Sequence, residues 1–164
     1  MCYNGSRMEV AVVFRKSEEK DGKAIYDLIC DMENKQLPYG VFEEIYQKQL
    51  QKEEMYCLIR EENGKVTAML NLRFEEQLHH CEKIAEIMEF VVDAECRNAG
   101  VGKEVLAEAF RVALEQGCSQ IEVACNQLRK DTHRFYEREG MHNYHYKFSR
   151  RLMGDDGGGN VLGR

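Results

Sequence analysis

Val91-Val92 closes an apolar run, Asp93 to Ala99 turns the chain, and Gly100-Val101-Gly102 opens a helix. The apolar positions of that helix, Val105, Leu106, Ala109, Val112 and Ala113, share one face, and Gly117 ends it. A strand, a short polar turn and a long one-sided helix that must return to a sheet call for an α/β layer. The first amides of such a helix have no intrahelical acceptor and lie at the positive end of its dipole, so they can hold phosphate oxygens. Gly100 and Gly102 lack the Cβ that would keep a pyrophosphate from the backbone, and Arg97 adds a charge-assisted contact. The chain has neither G-x-x-x-x-G-K-[ST] nor G-x-G-x-x-G with a downstream ribose-binding acid, so the phosphate is held in another way.

The rest of the chain supplies the other elements. A strand is expected over Glu9 to Arg15. A helix from about Lys20 to Asn34 follows, with Ser17 as its cap and Ile25, Leu28, Ile29 and Met32 as its stripe. Leu37-Pro38-Tyr39-Gly40 reads as a loop, followed by a helix carrying Phe42, Tyr46 and Leu50. Met55 to Arg60 and Val66 to Phe74 form a hairpin about Asn63-Gly64, whose residues tolerate the positive φ of a type I′ turn. Strands over Ile84–Val92 and Ile121–Cys125, a short helix over Asp131–Glu139 and a last strand over His142–Arg151 complete one domain spanning 9–152. Residues 1–8 and 153–164 are expected to be flexible termini.

Charge and cysteine usage exclude some functions. With 29 acidic and 23 basic side chains the net charge is −6, which argues against a nucleic-acid partner. No apolar run approaches the ~20 residues of a membrane span, and no signal-peptide order opens the chain, so a cytoplasmic protein without membrane attachment is expected. The seven cysteines form no C-x-x-C pair and read as reduced thiols rather than a disulfide framework or zinc site.

Arg97-x-x-Gly100-x-Gly102 after a strand ending in Val-Val resembles the acyl-CoA loop of the Gcn5-related N-acetyltransferases. Asn126-x-x-Arg129-x-x-Thr132-His133-Arg134-Phe135-Tyr136-Glu137-x-x-Gly140-Met141 is similar to that family's downstream segment, with Thr132 for the usual alanine and Met141 for the usual aromatic. Leu78-His79-His80, Glu86-Ile87-x-Glu89-x-Val91-Val92, His133-Arg134-Phe135-Tyr136-x-Arg138-Glu139-Gly140 and Phe148-Ser149-Arg150-Arg151-Leu152 carry a narrower likeness, to bacterial aminoalkylphosphonate N-acetyltransferases. The resemblance implies a mixed α/β fold with a mostly antiparallel sheet of six or seven strands, splayed at its middle, and about four helices on its two faces. It also implies a possible homodimer.

The implied reaction moves an acetyl group from acetyl-CoA, the cosubstrate, to the primary amine of a small molecule such as an aminoalkylphosphonate. Alternatives are an aminoglycoside, a polyamine, a protein amino group, or a coenzyme-A-binding module without turnover. The resemblance gives the coenzyme to Phe90, Val91, Val92, Arg97, Asn98, Ala99, Gly100, Val101, Gly102 and Asn126, with backbone groups near Phe90 or Val91 facing the thioester oxygen. The base candidates are Glu86 and Glu89, carboxylates in an apolar strand, where burial makes a better base. Strict alternation puts Glu86 on one face with Met88 and Phe90, and Glu89 on the other, unless a bulge intervenes. By family position Glu86 matches a base that acts through water. Tyr136 matches the acid that protonates the leaving thiolate, from a helix start.

Tyr39 and Phe42, in the loop between the first two helices, are expected to wall the acceptor pocket, with His79 and His80 beside it. Adjacent histidines on a strand point to opposite sides and seldom share a metal, so no ligand set is assigned. The likeness nonetheless implies a divalent metal that would bridge a phosphonate.

Overall fold

Asn63 and Gly64 take φ of +51° and +82°, so β2 (Met55–Glu62) folds tightly back on β3 (Lys65–Gln77). These strands lie inside a five-stranded sheet in the order β1-β2-β3-β4-β5, with β1 Val12–Lys16, β4 Glu82–Val92 and β5 Gln120–Val123. The first four strands are antiparallel and β5 runs parallel to β4. The structure, a computed structural model, describes residues 11–152. It divides into two compact units, one ending at Ala124 and one beginning at Cys125.

In the first unit, α1 (Gly22–Glu33) and α2 (Tyr39–Leu50) cover one face of the sheet. Ile25 and Leu28 of α1 and Tyr46 of α2 bury against Cys57, Ile59, Met69 and Val91. A Cβ on Gly22 would meet the Tyr46 ring at 3.1 Å, so glycine there lets the two helices approach. The opposite face takes α3 (Val101–Glu115), because Arg60, next to Ile59 and therefore turned the other way, reaches Glu104 on that helix. Val105, Leu106, Ala109, Val112 and Ala113 are all buried, as their spacing predicts.

Several expectations need correction. Ser17 does not cap α1. Its N–H bonds to the Cys57 carbonyl, and a 3-10 turn at Glu19–Asp21 leads into the helix, fixed by Asp21 accepting from the Glu18 N–H at 2.7 Å and pairing with Arg15. α2 begins at Tyr39, with Pro38 as its cap, so Tyr39 and Phe42 belong to a helix rather than to the loop before it. Proline has the fixed φ of a helix entry and no N–H to lose there.

The second unit contains α4 (Lys130–Arg138), but residues 141–152 form no strand. Tyr144, Tyr146 and Phe148 alternate as strand residues do, yet all are exposed. Alternation makes a strand only where a neighbour accepts its backbone groups. The sheet of the described residues accordingly has five strands, not six or seven. The expectations for residues 1–8 and 153–164, and for Glu9 and Val10 of the first strand, lie outside the described residues.

Candidate active site

β4 is the axis of the site. β5 pairs with it only from Ile84 to Ile87, and β4 continues to Val92 past the last of these pairs. The sheet is therefore splayed at this point, and β5 does not consume the backbone groups of the β4 extension. Val91 is buried in the core under α1, while the Met88 side chain is exposed.

The extension passes into an organised turn. Asp93 N–H donates to the Thr67 carbonyl at 2.8 Å, and its carboxylate accepts from the Glu95 N–H at 2.9 Å. Lys65 reaches both Asp93 (2.9 Å) and Glu95 (3.1 Å). The Lys65 hydrogen bond and the Glu95 N–H hold the Asp93 carboxyl below its ordinary range. Arg97 donates from Nε to the Val92 carbonyl (3.1 Å) and from Nη2 to Asp31 on α1 (3.2 Å). Asn98 and Gly100 have φ of +62° and +83°, and Glu104 is the first residue of α3 to bond back, to Gly100. The amides ahead of Glu104 thus come at the start of a 15-residue helix with no intrahelical acceptor. A Cβ on Gly100 would meet no atom within 4 Å, so the left-handed backbone, not crowding, requires glycine there.

The two glutamates share a face. β3 and β4 pair as Met69↔Val91 and Asn71↔Glu89, then as Leu72↔Ile87 and Arg73↔Glu86, so Met88 is an extra residue on β4. This bulge shifts the alternation by one. Glu86 and Glu89 consequently lie opposite Arg73 and Asn71, which are two apart on β3 and face the α1–α2 side with Met69. Simple alternation had put the glutamates on opposite faces.

Arg73 Nη2 contacts Glu86 at 2.5 Å and Glu75 at 3.1 Å. The buried Asn71 donates from Nδ2 to Glu89 Oε2 at 2.9 Å and to Gln49 Oε1 at 3.0 Å. Asn71, Arg73 and Gln49 escape the motif reading. The one available signal is a polar Asn71 between Leu70 and Leu72 in an otherwise apolar strand.

Tyr39 and Phe42 join an aromatic run with Tyr26 and Tyr46. Tyr26 meets Tyr39 edge-on at 5.0 Å and Phe42 at 5.3 Å, and Phe42 stacks on Tyr46 at 5.9 Å. Phe42 packs against the core cluster, whereas Tyr39 is exposed. His79 and His80 lie in the exposed β3–β4 turn with ring centroids 4.1 Å apart, not on opposite sides of a strand. Among the described residues no group of three His, Cys, Asp or Glu side chains is placed to hold a metal.

In the second unit Tyr136 is buried, and burial pushes its phenol up to about 12. It therefore stays protonated across the neutral range. It stands near the end of α4, not at its start. Asn126 organises the turn before α4: its Oδ1 accepts from Leu128 N–H at 2.9 Å, and its carbonyl contacts Arg129 N–H and His133 Nε2.

The acetyltransferase (GNAT) family matches residues 23–141. An aminoalkylphosphonate N-acetyltransferase of Salmonella typhimurium LT2 is 33% identical over 138 residues, covering 84% of this chain and 90% of that protein. Among solved structures, a transcriptional regulator of Bacillus halodurans C-125 superposes with a TM-score of 0.80 at 20% identity, over 87% of this chain and 100% of the other. An aminoglycoside N-acetyltransferase in complex with CoA superposes with a TM-score of 0.77 at 14% identity, over 88% and 97%.

Proposed function

This chain belongs to the acetyltransferase (GNAT) family and is an acetyl-CoA-dependent N-acetyltransferase, and we propose that its acceptor is the primary amine of an aminoalkylphosphonate. One arrangement carries the choice of acceptor: Glu86, Glu89 and Arg73 share one sheet face at the β4 bulge. An aminoalkylphosphonate is a zwitterion. Carboxylates suit its ammonium end, and a guanidinium suits the paired oxygens of its phosphonate. The Salmonella relative's name agrees with that chemistry.

The steps assign work to particular groups. The amides from Asn98 to Gly102 receive the coenzyme's diphosphate, with Arg97 released from Asp31 to join them. The β4 extension through Phe90, Val91 and Val92 lies along the pantetheine arm, and a backbone N–H there faces the thioester oxygen. One such donor contributes about 2.7–4 kcal/mol in other enzymes.

Glu89, on the β4 extension, takes the ammonium proton, and Glu86 with Arg73 orients the acceptor. The freed amine attacks the thioester carbonyl and the C–S bond breaks. By its position in the family motif, Tyr136 is the acid that then gives the leaving thiolate its proton. Tyr39 lines the acceptor side.

The carboxylates of this face outnumber Arg73, because Glu75 joins them. That excess favours, as a second reading, a polycationic acceptor such as a polyamine or an aminoglycoside. Thiol release from acetyl-CoA with 2-aminoethylphosphonate, ethylamine, spermidine and an aminoglycoside decides between the two. The phosphonate should give the highest kcat/KM, and a preference for spermidine would replace the first reading with the second. In the same assay Tyr136→Phe should lose most of its turnover and keep its coenzyme affinity. Light scattering on the purified chain tests the homodimer that the family resemblance implies.

A further inference from the structure

Cys57, Asn71 and Glu89 form one row across β2, β3 and β4, in register and on one face. On one side of that row the face is apolar: Ile59, Met69 and Val91 pack with Ile25 and Leu28 of α1. An amide in this setting costs stability unless its hydrogen bonds are made, and leucine would pack there without that cost.

Asn71 makes only part of its set. Both Nδ2 protons are used, one on Glu89 Oε2 and one on Gln49 Oε1. An ionised carboxylate can only accept, so Nδ2 must face Glu89 and the amide cannot be flipped. Oδ1 is thereby turned the other way and, among the described residues, is buried with no hydrogen-bond partner.

We infer that Asn71, held by Gln49, is a positioning residue for acetyl transfer: its Nδ2 fixes the Glu89 carboxylate that takes the acceptor's proton. The inference rests on the acetyl-transfer reading above. The step balances without another reactant. The ammonium N–H bond breaks as its proton passes to Glu89, and the amine keeps the electron pair that attacks the thioester.

The other titratable or charged groups on this face are Arg15 on β1, Cys57 and Glu61 on β2, Arg73 and Glu75 on β3, Glu82 and Glu86 on β4, Glu122 on β5, Asp21 at the entry to α1 and Tyr46 on α2. The residues that α1 packs against it, Ile25 and Leu28, are apolar. Burial pushes the Cys57 thiol and the Tyr46 phenol each up to about 12, so the acid side of a rate profile reports the carboxylates.

The test is the pH profile of kcat and kcat/KM for Asn71→Leu and Gln49→Leu, with thermal melts to confirm folding. Asn71→Leu should lower kcat near neutral pH by roughly 10- to 100-fold, since losing a positioning contact removes only part of the ~10²–10⁴-fold contribution of a general base. Its KM for acetyl-CoA should not change. Its acid limb should move to higher pH, because a carboxylate that loses a donor protonates more readily. Gln49→Leu should move both quantities the same way by less, and it carries the test alone if Asn71→Leu does not fold.

A folded Asn71→Leu with the wild-type kcat and acid limb overturns the inference and leaves the acetyl-transfer reading standing. So does a loss of equal size at every pH, which would mark a purely structural residue. No thiol release by the wild-type chain with any amine takes down both.

Discussion

The two turns that bracket β4 are both polar and exposed, yet they are built differently. The turn before it, Leu78 to Cys81, holds itself together through the Cys81 N–H on the Gln77 carbonyl and the Cys81 thiol on the Leu78 carbonyl. The turn after it, Asp93 to Gly100, is tied to three other parts of the chain: Lys65 at the start of β3, Thr67 further along that strand, and Asp31 on α1. A turn held from outside keeps its amides aimed before a ligand arrives, and so loses less conformational entropy on binding. Polarity alone does not make an anion site. The long-range tethers are what hold these amides in one direction.

Breaking the second turn should therefore cost binding, and disturbing the first should not. The largest effect is expected from Gly100→Val. A β-branched residue at φ +83° carries strain of about 1–3 kcal/mol, and the chain relieves it by reshaping the turn. Calorimetry with coenzyme A should then give at least a tenfold weaker Kd, and an unchanged Kd would remove the turn from the coenzyme site.

Lys65→Ala should weaken binding less, by a few-fold, since it removes one exposed tether and leaves the helix start intact. That tether also gives a pH signature. The Asp93 carboxyl is depressed by Lys65, so its contribution is present above the ordinary carboxylate range and is lost as pH falls through its lowered value. Lys65 is raised by Asp93 and Glu95, so its contribution persists below the ordinary lysine range and is lost only at still higher pH. Coenzyme affinity in wild type should therefore fall more steeply with acid than in Lys65→Ala, and parallel curves would show the tether to be idle.

The smallest effect is expected from His79→Ala with His80→Ala. The paired rings in the first turn should leave coenzyme affinity where it was, and a drop would mean that this turn also shapes the proposed coenzyme site.

The strand–turn–helix from Val91 to Glu115 and the hairpin at Asn63-Gly64 were legible because their signals are local. A glycine at positive φ, or an apolar stripe of helical period, means the same wherever it stands. The strand expected at His142–Arg151 shows the limit of such signals, since Tyr144, Tyr146 and Phe148 have the right pattern and no partner strand among the described residues. Asn71, Gln49 and Arg73 were illegible for a related reason: each matters through a contact with a residue far away in the chain.

From the residues alone came the order of elements, the glycine turn after β4 and the presence of two carboxylates in an apolar strand. Tertiary structure alone decided that Glu86 and Glu89 face the same way. Reading every second residue assumes an unbroken register, and the extra residue at Met88 breaks it. Where a bulge falls is settled by how β3, β4 and the helices above them pack together, a balance of long-range contacts that no short window of sequence contains.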